Sequence, residues 1–273
     1  MLERKERVKE KIKDYDLKHS AAHILASAMK QLYPQCQLAI GPPLEDSFYY
    51  DFGNAQIKEE DLPKIEAEMK RIIRENHPFE LKEVPRKEAE QMLKNEPFKQ
   101  DILKEITGKI TFYKHGAFMD LCEGPHVKST GDIKAVKLTK VAGAYWKGDS
   151  KNPQLTRLYG VVFPSEKELK AWEHQQEEAT KRDHVKLGRQ LELYMFDPIS
   201  PGSAFFFPKG AIIYNELVNF LREEYKKRGY QEVITPILYN NDLWKQSGHW
   251  EHFRENMFCF PHENVMVALK PMN

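Results

Sequence analysis

The sequence predicts an α+β fold. Its first hundred residues contain segments with helical periodicity. Residues 110–163 instead carry short apolar runs separated by Gly-rich turns. Helices and antiparallel strands that are grouped along the chain in this way are typical of α+β proteins. With 273 residues, of which 41% are hydrophobic and 30% charged, the chain can form one large domain or two ordinary ones.

The first predicted helix runs from about Leu17 to Leu32, where apolar residues recur at helical spacing before Pro34. The segment QLAIGPPLEDSFYYDF then indicates a strand, a turn and a second strand. EEDLPKIEAEMKRIIRENHP has the pattern of an amphipathic helix, FELKEVP that of a strand and RKEAEQMLKN that of another helix. We expect the runs between Ile110 and Phe163 to form one mixed or antiparallel sheet.

A second module is predicted downstream of this sheet. SEKELKAWEHQQEEATKRDHVKLGRQL is polar and favours a connecting helix without interruption before Gly188. A strand AFFFP follows, then an amphipathic helix from about Ala211 to Arg228 with Gly229 at its C-cap, and a strand YQEVITP. No closing helix or strand pattern is evident after it. The predicted domains are a charged arm (1–14), an α+β domain (15–163), a helical linker (164–195) and an incomplete module (196–273).

Composition excludes several classes of protein. The net charge of +1 argues against a wholly basic nucleic-acid coat, although it allows one basic face. The three cysteines, an odd number with wide spacing, imply no disulfide framework. The N-terminus lacks the apolar stretch of a signal peptide, and no run approaches the ~20 apolar residues of a membrane span. We therefore expect a soluble, cytoplasmic protein.

Two short motifs carry candidate chemistry. In HSAAH, His19 and His23 lie four residues apart and share one face of a helix. In DLCEGPH, Cys122 and His126 flank a Gly-Pro turn that can direct both side chains into one pocket. Four such ligands suit a tetrahedral zinc site, although a His-x-x-x-His pair also arises as an incidental helix face.

A metal-free site is the alternative. Asp120 shares a strand face with Cys122, and Lys99 lies in NEPFKQD beside apolar neighbours. A carboxylate, a lysine and several imidazoles can together activate water without a metal. The residues alone leave both alternatives open.

A basic segment, IKAVKLTKVAGAYWKGDSK, is a candidate nucleic-acid surface. Lys137 and Lys140 can neutralise phosphates, and Tyr145 and Trp146 can stack on unpaired bases. A solvated strand edge protected by lysines is the alternative interpretation.

Long motifs spread over residues 17–273 resemble the threonyl-tRNA synthetase family. The editing domain of bacterial-type members is similar to HSAAHILASAMKQLYP, AIGPPLEDSFYYDF, FMDLCEGPHVKSTGDI and LTKVAGAYWKGDSKNPQLTRLYGVVFP. The start of the class II catalytic domain is similar to DHVKLGRQLELYMFDPISPGSAFFFPKG, GYQEVITPILYNNDLWKQSGHWEHFRENMF and ALKPMN. The resemblance implies an editing domain with an antiparallel or mixed sheet, a helical linker and an incomplete class II antiparallel-sheet module.

For the editing domain, the resemblance implies hydrolysis of serine from mischarged tRNA(Thr) without a cofactor or metal. The implied catalytic residues are His19, His23, Lys99, Asp120, Cys122 and His126. In this scheme Lys99 and the histidines activate water, Asp120 orients the amine, and Cys122 and His126 shape the pocket. Tyr50 is implied as a pocket residue; the tRNA is expected to contact Lys137, Lys140, Tyr145 and Trp146.

For the second module, the resemblance implies motif 1 of class II synthetases, with Gly229 and Pro236 at a homodimer interface. ATP, magnesium and zinc are implied for the full-length synthetase alone. Because the later motifs lie beyond LKPMN, we expect no threonyl-adenylate formation by this chain. Two other hypotheses remain at this point: a non-catalytic fragment that binds tRNA or a synthetase, and an unrelated zinc-dependent hydrolase.

Overall fold

The computed structural model describes residues 12–270 and divides into two compact units, Met1–Lys181 and Arg182–Asn273. The predicted charged arm lies almost entirely outside the described residues. Among the residues that are described, no helix has the length and apolar character needed to cross a membrane. Helices and antiparallel strands make up both units, so the predicted α+β class is confirmed.

The first unit contains five α-helices and seven strands within the described range. The helices are α1 (Tyr15–Leu32), α2 (Leu62–Glu75), α3 (Arg86–Met92), α4 (Pro97–Glu105) and α5 (Glu166–Lys181). The strands are β1 (Gln37–Leu38), β2 (Phe48–Gly53), β3 (Glu80–Glu83), β4 (Thr111–His115), β5 (Phe118–Leu121), β6 (Ala135–Tyr145) and β7 (Gln154–Phe163).

The strands form two antiparallel sheets instead of the single predicted sheet. One has the order β1-β2-β7-β6 and the other β3-β4-β5. After β5, the chain passes through a loop and a 3-10 helix (Thr130–Asp132) before β6 begins. β4 pairs with β5, and β6 pairs with β7; each pair is joined by a strand from earlier in the chain, β3 beside β4 and β2 beside β7, which the sequence pattern could not identify.

Helices α1 and α2 pack on the four-stranded sheet around the largest core. Ile24 and Leu25 of α1, Phe48 of β2 and Ile65 of α2 are fully buried in this cluster. Burial of one large aliphatic side chain stabilises a fold by about 1.5–3 kcal/mol, so this core holds α1 rigidly against β2. A separate cluster that includes Ala89, Leu103 and Phe112 packs under the three-stranded sheet.

The predicted connecting helix is interrupted. Helix α5 ends at Lys181, and α6 (His184–Gln190) begins after two intervening residues. Asp183 is the N-cap of α6, and its side chain accepts a hydrogen bond of 2.7 Å from the Lys186 backbone N–H. Since an N-cap residue leaves the helical conformation, this cap explains the break. Leu169 of α5 packs in a cluster with Ala135 and Val161 of the four-stranded sheet.

In the second unit, a two-stranded and a three-stranded antiparallel sheet accompany four helices among the described residues. The strands are β8 (Tyr194–Phe196), β9 (Ala204–Phe206), β10 (Leu238–Asn240), β11 (Cys259–His262) and β12 (Val265–Leu269). The helices are α6, α7 (Pro208–Lys227), α8 (Asp242–Gln246) and α9 (His249–Phe253). Strand order in the second sheet is β10-β12-β11. The sequence pattern missed this sheet because its strands are only three to five residues long.

The predicted strand YQEVITP is wrong. Residues 231–236 carry no strand assignment, and no described strand pairs with them. A β-branched run favours extended backbone, but a strand also requires a hydrogen-bonding neighbour. The preceding prediction is confirmed, since α7 ends at Lys227 and Gly229 follows with φ at 78°, a conformation that favours glycine.

Candidate functional site

The HSAAH and DLCEGPH motifs lie together. His19 Nε2 is 3.3 Å from Cys122 Sγ, and His126 Nε2 is 3.2 Å from the same sulfur. Their imidazole rings stack with centroids 4.4 Å apart. Helix α1 supplies the first histidine, and the loop after β5, which contains the cis Gly124–Pro125 bond, supplies the other two side chains.

Hydrogen bonds define how the two histidines face the thiol. His19 Nδ1 lies 3.1 Å from the Pro125 carbonyl oxygen, which can only accept, so Nδ1–H is the donor. Ser20 donates its hydroxyl proton to the Asp16 carbonyl, so the His126 Nδ1–H, 3.0 Å away, donates to Ser20 Oγ. In the neutral rings, both Nε2 lone pairs therefore point at Cys122 Sγ.

These three residues are the described group whose donor atoms could hold a metal ion, with all donor atoms within 4.8 Å of one another. Two nitrogens and one sulfur are donors that Zn²⁺ accepts. Burial lowers the pKa of His126 to about 2, with His19 and His115 adding to the effect, and burial raises the pKa of Cys122 to about 12. In the metal-free protein, both groups are neutral near pH 7.

His23 lies one turn beyond His19, behind this group. Its ring centroid is 5.0 Å from that of His126, and the Phe79 and Phe118 rings pack against it. Burial, followed by the charges of neighbouring histidines, lowers the pKa of His23 well below its ordinary value, so the ring is neutral at pH 7. Its Nε2 is buried without a hydrogen-bond partner among the described residues.

Lys99, Asp120 and Tyr50 form a second buried group. The Lys99 ammonium donates to Asp120 Oδ2 at 2.7 Å, and the Tyr50 hydroxyl donates to the same oxygen at 2.7 Å. The Lys99 and Asp120 side chains are 5% and 4% exposed. Burial and the neighbouring Asp120 raise the pKa of Tyr50 well above its ordinary value, which keeps its O–H as a donor.

One cavity of about 520 Å³ joins both groups. Five of the six predicted catalytic residues line it together with Tyr50, whereas His126 lies behind Cys122. Its remaining walls come from the loop after β1, from helix α4 and from residues beside the motifs: Tyr15, Ile40, Gly41, Pro42, Pro43, Ile102, Ile106, Lys109, Thr111, Leu121, Glu123 and Gly124. The cavity is large enough for a small-molecule group with a polar end.

Sequence reasoning missed three residues that shape this site. A Cβ at Gly41 would lie 2.2 Å from the Tyr50 ring, so only glycine allows the loop after β1 to approach Tyr50. Ser20 accepts the Val127 backbone N–H and thereby ties α1 to the motif loop. Glu96, the residue before α4, forms an ion pair with Lys30 at 2.6 Å and accepts a hydrogen bond from the Leu38 backbone N–H at 2.6 Å. A small or charged residue before a proline was the available signal for Gly41 and Glu96, whereas Ser20 lies inside α1, within HSAAH itself.

The basic segment divides between surface and core. Lys137 and Lys140 lie on β6, an edge strand; Lys137 forms an ion pair with Glu173, and the Lys140 ammonium lies 4.6 Å above the Tyr159 ring. Tyr145 is 45% exposed. Trp146 is 7% exposed and donates its indole N–H to Asp101, so the structure contradicts its predicted stacking role. Its large apolar ring fills a core cluster instead.

Residues 110–159 match the family model described as the threonyl and alanyl tRNA synthetase second additional domain. The threonine–tRNA ligase of Thermotoga maritima is 49% identical over 262 residues, which cover 94% of this chain and 41% of that protein. The corresponding enzyme of Clostridium botulinum strain 657 is 51% identical, with the same coverage.

A solved structure of the RNA binding domain of threonyl-tRNA synthetase from Cryptosporidium parvum Iowa II is also similar. Its sequence identity is 52%, and the match covers 34% of this chain and 23% of that chain with a TM-score of 0.33.

The α+β first unit and its match to the additional domain define part of an aminoacyl-tRNA synthetase. With about half of its residues identical across 94% of its length, the chain belongs to the threonyl-tRNA synthetase family. It spans about two fifths of the length of the curated relatives it matches. These relatives exclude the hypothesis of an unrelated zinc-dependent hydrolase.

Proposed function

We propose that the first unit is an editing hydrolase that cleaves the ester bond of seryl-tRNA(Thr). The observation that carries this proposal is the single cavity in which the buried Lys99–Asp120–Tyr50 group meets the histidines of α1. An aminoacyl ester presents an amine, a carbonyl and a ribose end. The cavity offers a carboxylate for the amine and imidazoles for the attacking water.

The chemical need for such a site follows from the substrates. Serine lacks one methyl group of threonine, a difference worth only ~1–3 kcal/mol in a binding pocket. A synthetase that selects threonine by binding alone therefore charges some serine, and a second site that hydrolyses the smaller product corrects the error.

The roles of the residues follow from their contacts. Asp120, held by Lys99 and Tyr50, orients the substrate amine through its carboxylate. His23 lines the cavity as a neutral ring and can accept a proton from water, while the Lys99 ammonium stabilises the water's position. Cys122 and His126 shape the wall behind His19. Because the ester is already reactive, positioning supplies much of the rate.

No cofactor or metal is assigned to this reaction. The His19, Cys122 and His126 donors fit a zinc ion, so the metal-free assignment is tested by metal analysis of the purified protein and by assay after chelation. Activity that survives chelation supports water activation by the protein side chains. Stoichiometric zinc whose removal abolishes hydrolysis contradicts it.

The decisive experiment measures release of each amino acid from seryl- and threonyl-charged tRNA(Thr). We expect loss of serine with threonine spared. His23→Ala should abolish the loss of serine, and the exposed His174→Ala on α5 is the matched control. Hydrolysis retained in His23→Ala contradicts the assignment. If neither amino acid is released by the wild-type chain although tRNA binds, the non-catalytic binding fragment is favoured.

The tRNA itself is the proposed macromolecular partner. Lys140 and the exposed Tyr145 on β6 offer a charge for phosphate and a ring for a base. We further propose that the full-length cytoplasmic enzyme ligates threonine to tRNA(Thr) with ATP, magnesium and zinc.

Homodimerisation of the full-length enzyme is proposed from the second unit. Helix α7 exposes several large apolar side chains, among them Ile212, Leu217 and Phe220, and Ile234 is 95% exposed beside Pro236. Surfaces of this kind mark protein interfaces. Light scattering of the full-length enzyme should give the dimer mass, and Ile234→Asp should shift it toward the monomer; a monomeric wild-type enzyme contradicts the proposal.

A further inference from the structure

A fourth histidine, outside the predicted site, lies against His23. His115 ends strand β4, at the hairpin that leads into β5, and its ring centroid is 5.2 Å from that of His23. It is 2% exposed. Neither of its ring nitrogens has a hydrogen-bond partner among the described residues, and the same holds for Nε2 of His23.

Two aromatic rings enclose this pair of histidines. Phe79 packs against His23 and His115 at centroid distances of 5.6 and 5.2 Å, and Phe118 packs against them at 5.1 and 5.4 Å. Phenylalanine rings offer no N–H or lone-pair partner to an imidazole. The other titratable groups whose charges act on this pair are His77, which lies over Gly116 at the hairpin, and His126, His19 and Lys99 beside His23.

A buried polar group without a hydrogen-bond partner destabilises a fold, and this cluster contains three such nitrogens. A phenylalanine at position 115 would fill a similar volume without that cost. The two rings as placed form no hydrogen bond, but at a centroid separation of 5.2 Å a rotation of one ring, or one bridging water molecule, would link a nitrogen of each ring. One shared bond satisfies a nitrogen of each ring, which is two of the three.

We propose that His115 is a positioning residue that accepts a hydrogen bond from His23 Nε2–H and so fixes the tautomer of His23. With the hydrogen held on Nε2, Nδ1 of His23 retains its lone pair and is the nitrogen able to take a proton from water. Burial keeps both rings neutral near pH 7, with the pKa of His115 lowered to about 4. The catalytic consequence rests on the proposed editing function, whereas the tautomer does not.

The test reads the tautomer directly, by long-range ¹H–¹⁵N correlation spectra of the full chain labelled at histidine. In the wild type at pH 7 to 8, we expect His23 to show one protonated and one unprotonated nitrogen, with Nε2 protonated. His115→Phe should convert these signals to averaged shifts, and His115→Gln, which retains an acceptor, should preserve them. Phe118→Leu is the control that alters the packing without removing a nitrogen.

Averaged shifts in the wild type, or an unchanged His23 spectrum in His115→Phe, would overturn the proposal. If His115→Phe fails to fold, the wild-type spectrum and His115→Gln still decide it. In the deacylation assay, His115→Phe should lower kcat by roughly tenfold to a hundredfold with little change in KM, and His115→Gln should restore most of it. A fixed tautomer in a chain without deacylase activity would refute the editing function and leave the tautomer assignment standing.

Discussion

The buried Lys99–Asp120 ion pair predicts a large loss of stability when one partner is removed. Lys99→Met has a similar volume and removes the charge, which leaves the Asp120 carboxylate at 4% exposure with the Tyr50 hydroxyl beside it. Breaking one half of a buried pair costs about 3–5 kcal/mol, because the remaining charge stays out of water. For a unit of this size, that corresponds to a fall in Tm of roughly 6–20 °C.

Hydrogen exchange measured by mass spectrometry in peptides from α1 is the suitable assay, because two compact units need not unfold as one transition. Residues 21–29 are buried in the largest core and report on unfolding of the first unit. Lys109→Met is the matched control. Lys109 lines the same cavity, but its ion pair with Glu83 is solvent-exposed, so its loss should change the exchange little.

The double variant Lys99→Met with Asp120→Asn separates charge from packing. Removing both charges leaves no uncompensated ion, so it should be less destabilised than the sum of the two single variants by more than about 1 kcal/mol. Single variants that each lower the free energy of unfolding by less than about 1 kcal/mol would refute this account of a buried, mutually dependent ion pair. A double variant whose loss of unfolding free energy equals the sum of the two single losses would refute it as well.

Three further predictions follow from other contacts. Burial, with His77 as a second cause, lowers the pKa of His115 from 6.5 to about 4, so the unfolded chain binds the proton first as the pH falls. The free energy of unfolding should therefore decrease below about pH 6.5, by about 3 kcal/mol at pH 4. Urea titrations should show less of this decrease in His115→Phe. Glu96→Ala removes the partner of Lys30 and of the Leu38 N–H, which should destabilise α4 by about 1–3 kcal/mol and slow deacylation, because α4 carries Lys99. The exposed Glu90→Ala should have neither effect. Deacylation and hydrogen exchange of α4 that stay at wild-type rates in Glu96→Ala would contradict this role of Glu96. Lys140→Ala should weaken tRNA binding and reduce the slope of log affinity against log salt by about one, and an equal effect of exposed Lys82→Ala on β3 would mean that β6 is not the contacting edge.

Local patterns account for the parts of the fold that were predicted correctly. Helices α1 and α2 have strong apolar periodicity and clear ends, so their positions follow from spacing alone. The HSAAH pair was predictable because residues i and i+4 share a helix face, and the Gly-Pro turn in DLCEGPH placed Cys122 and His126 together.

Predictions failed where the outcome depended on distant partners. Helix α4 is nine residues long and begins at a proline, so its pattern was too short to recognise, although it carries Lys99. Trp146 stands beside lysines in the sequence, but Asp101 and Phe98, more than forty residues earlier, bury it. Residues 231–236 have the composition of a strand and lack a described neighbouring strand.

The sequence by itself determined the α+β class, the family and the two histidine and cysteine motifs, because these depend on spacing within short segments and on long matching stretches. Tertiary structure alone decided that Lys99 pairs with Asp120, that His115 lies against His23 and that the strands divide into two sheets. Each of these rests on contacts between segments far apart in the chain, and such contacts are selected by how the cores pack, which spacing along the chain does not encode.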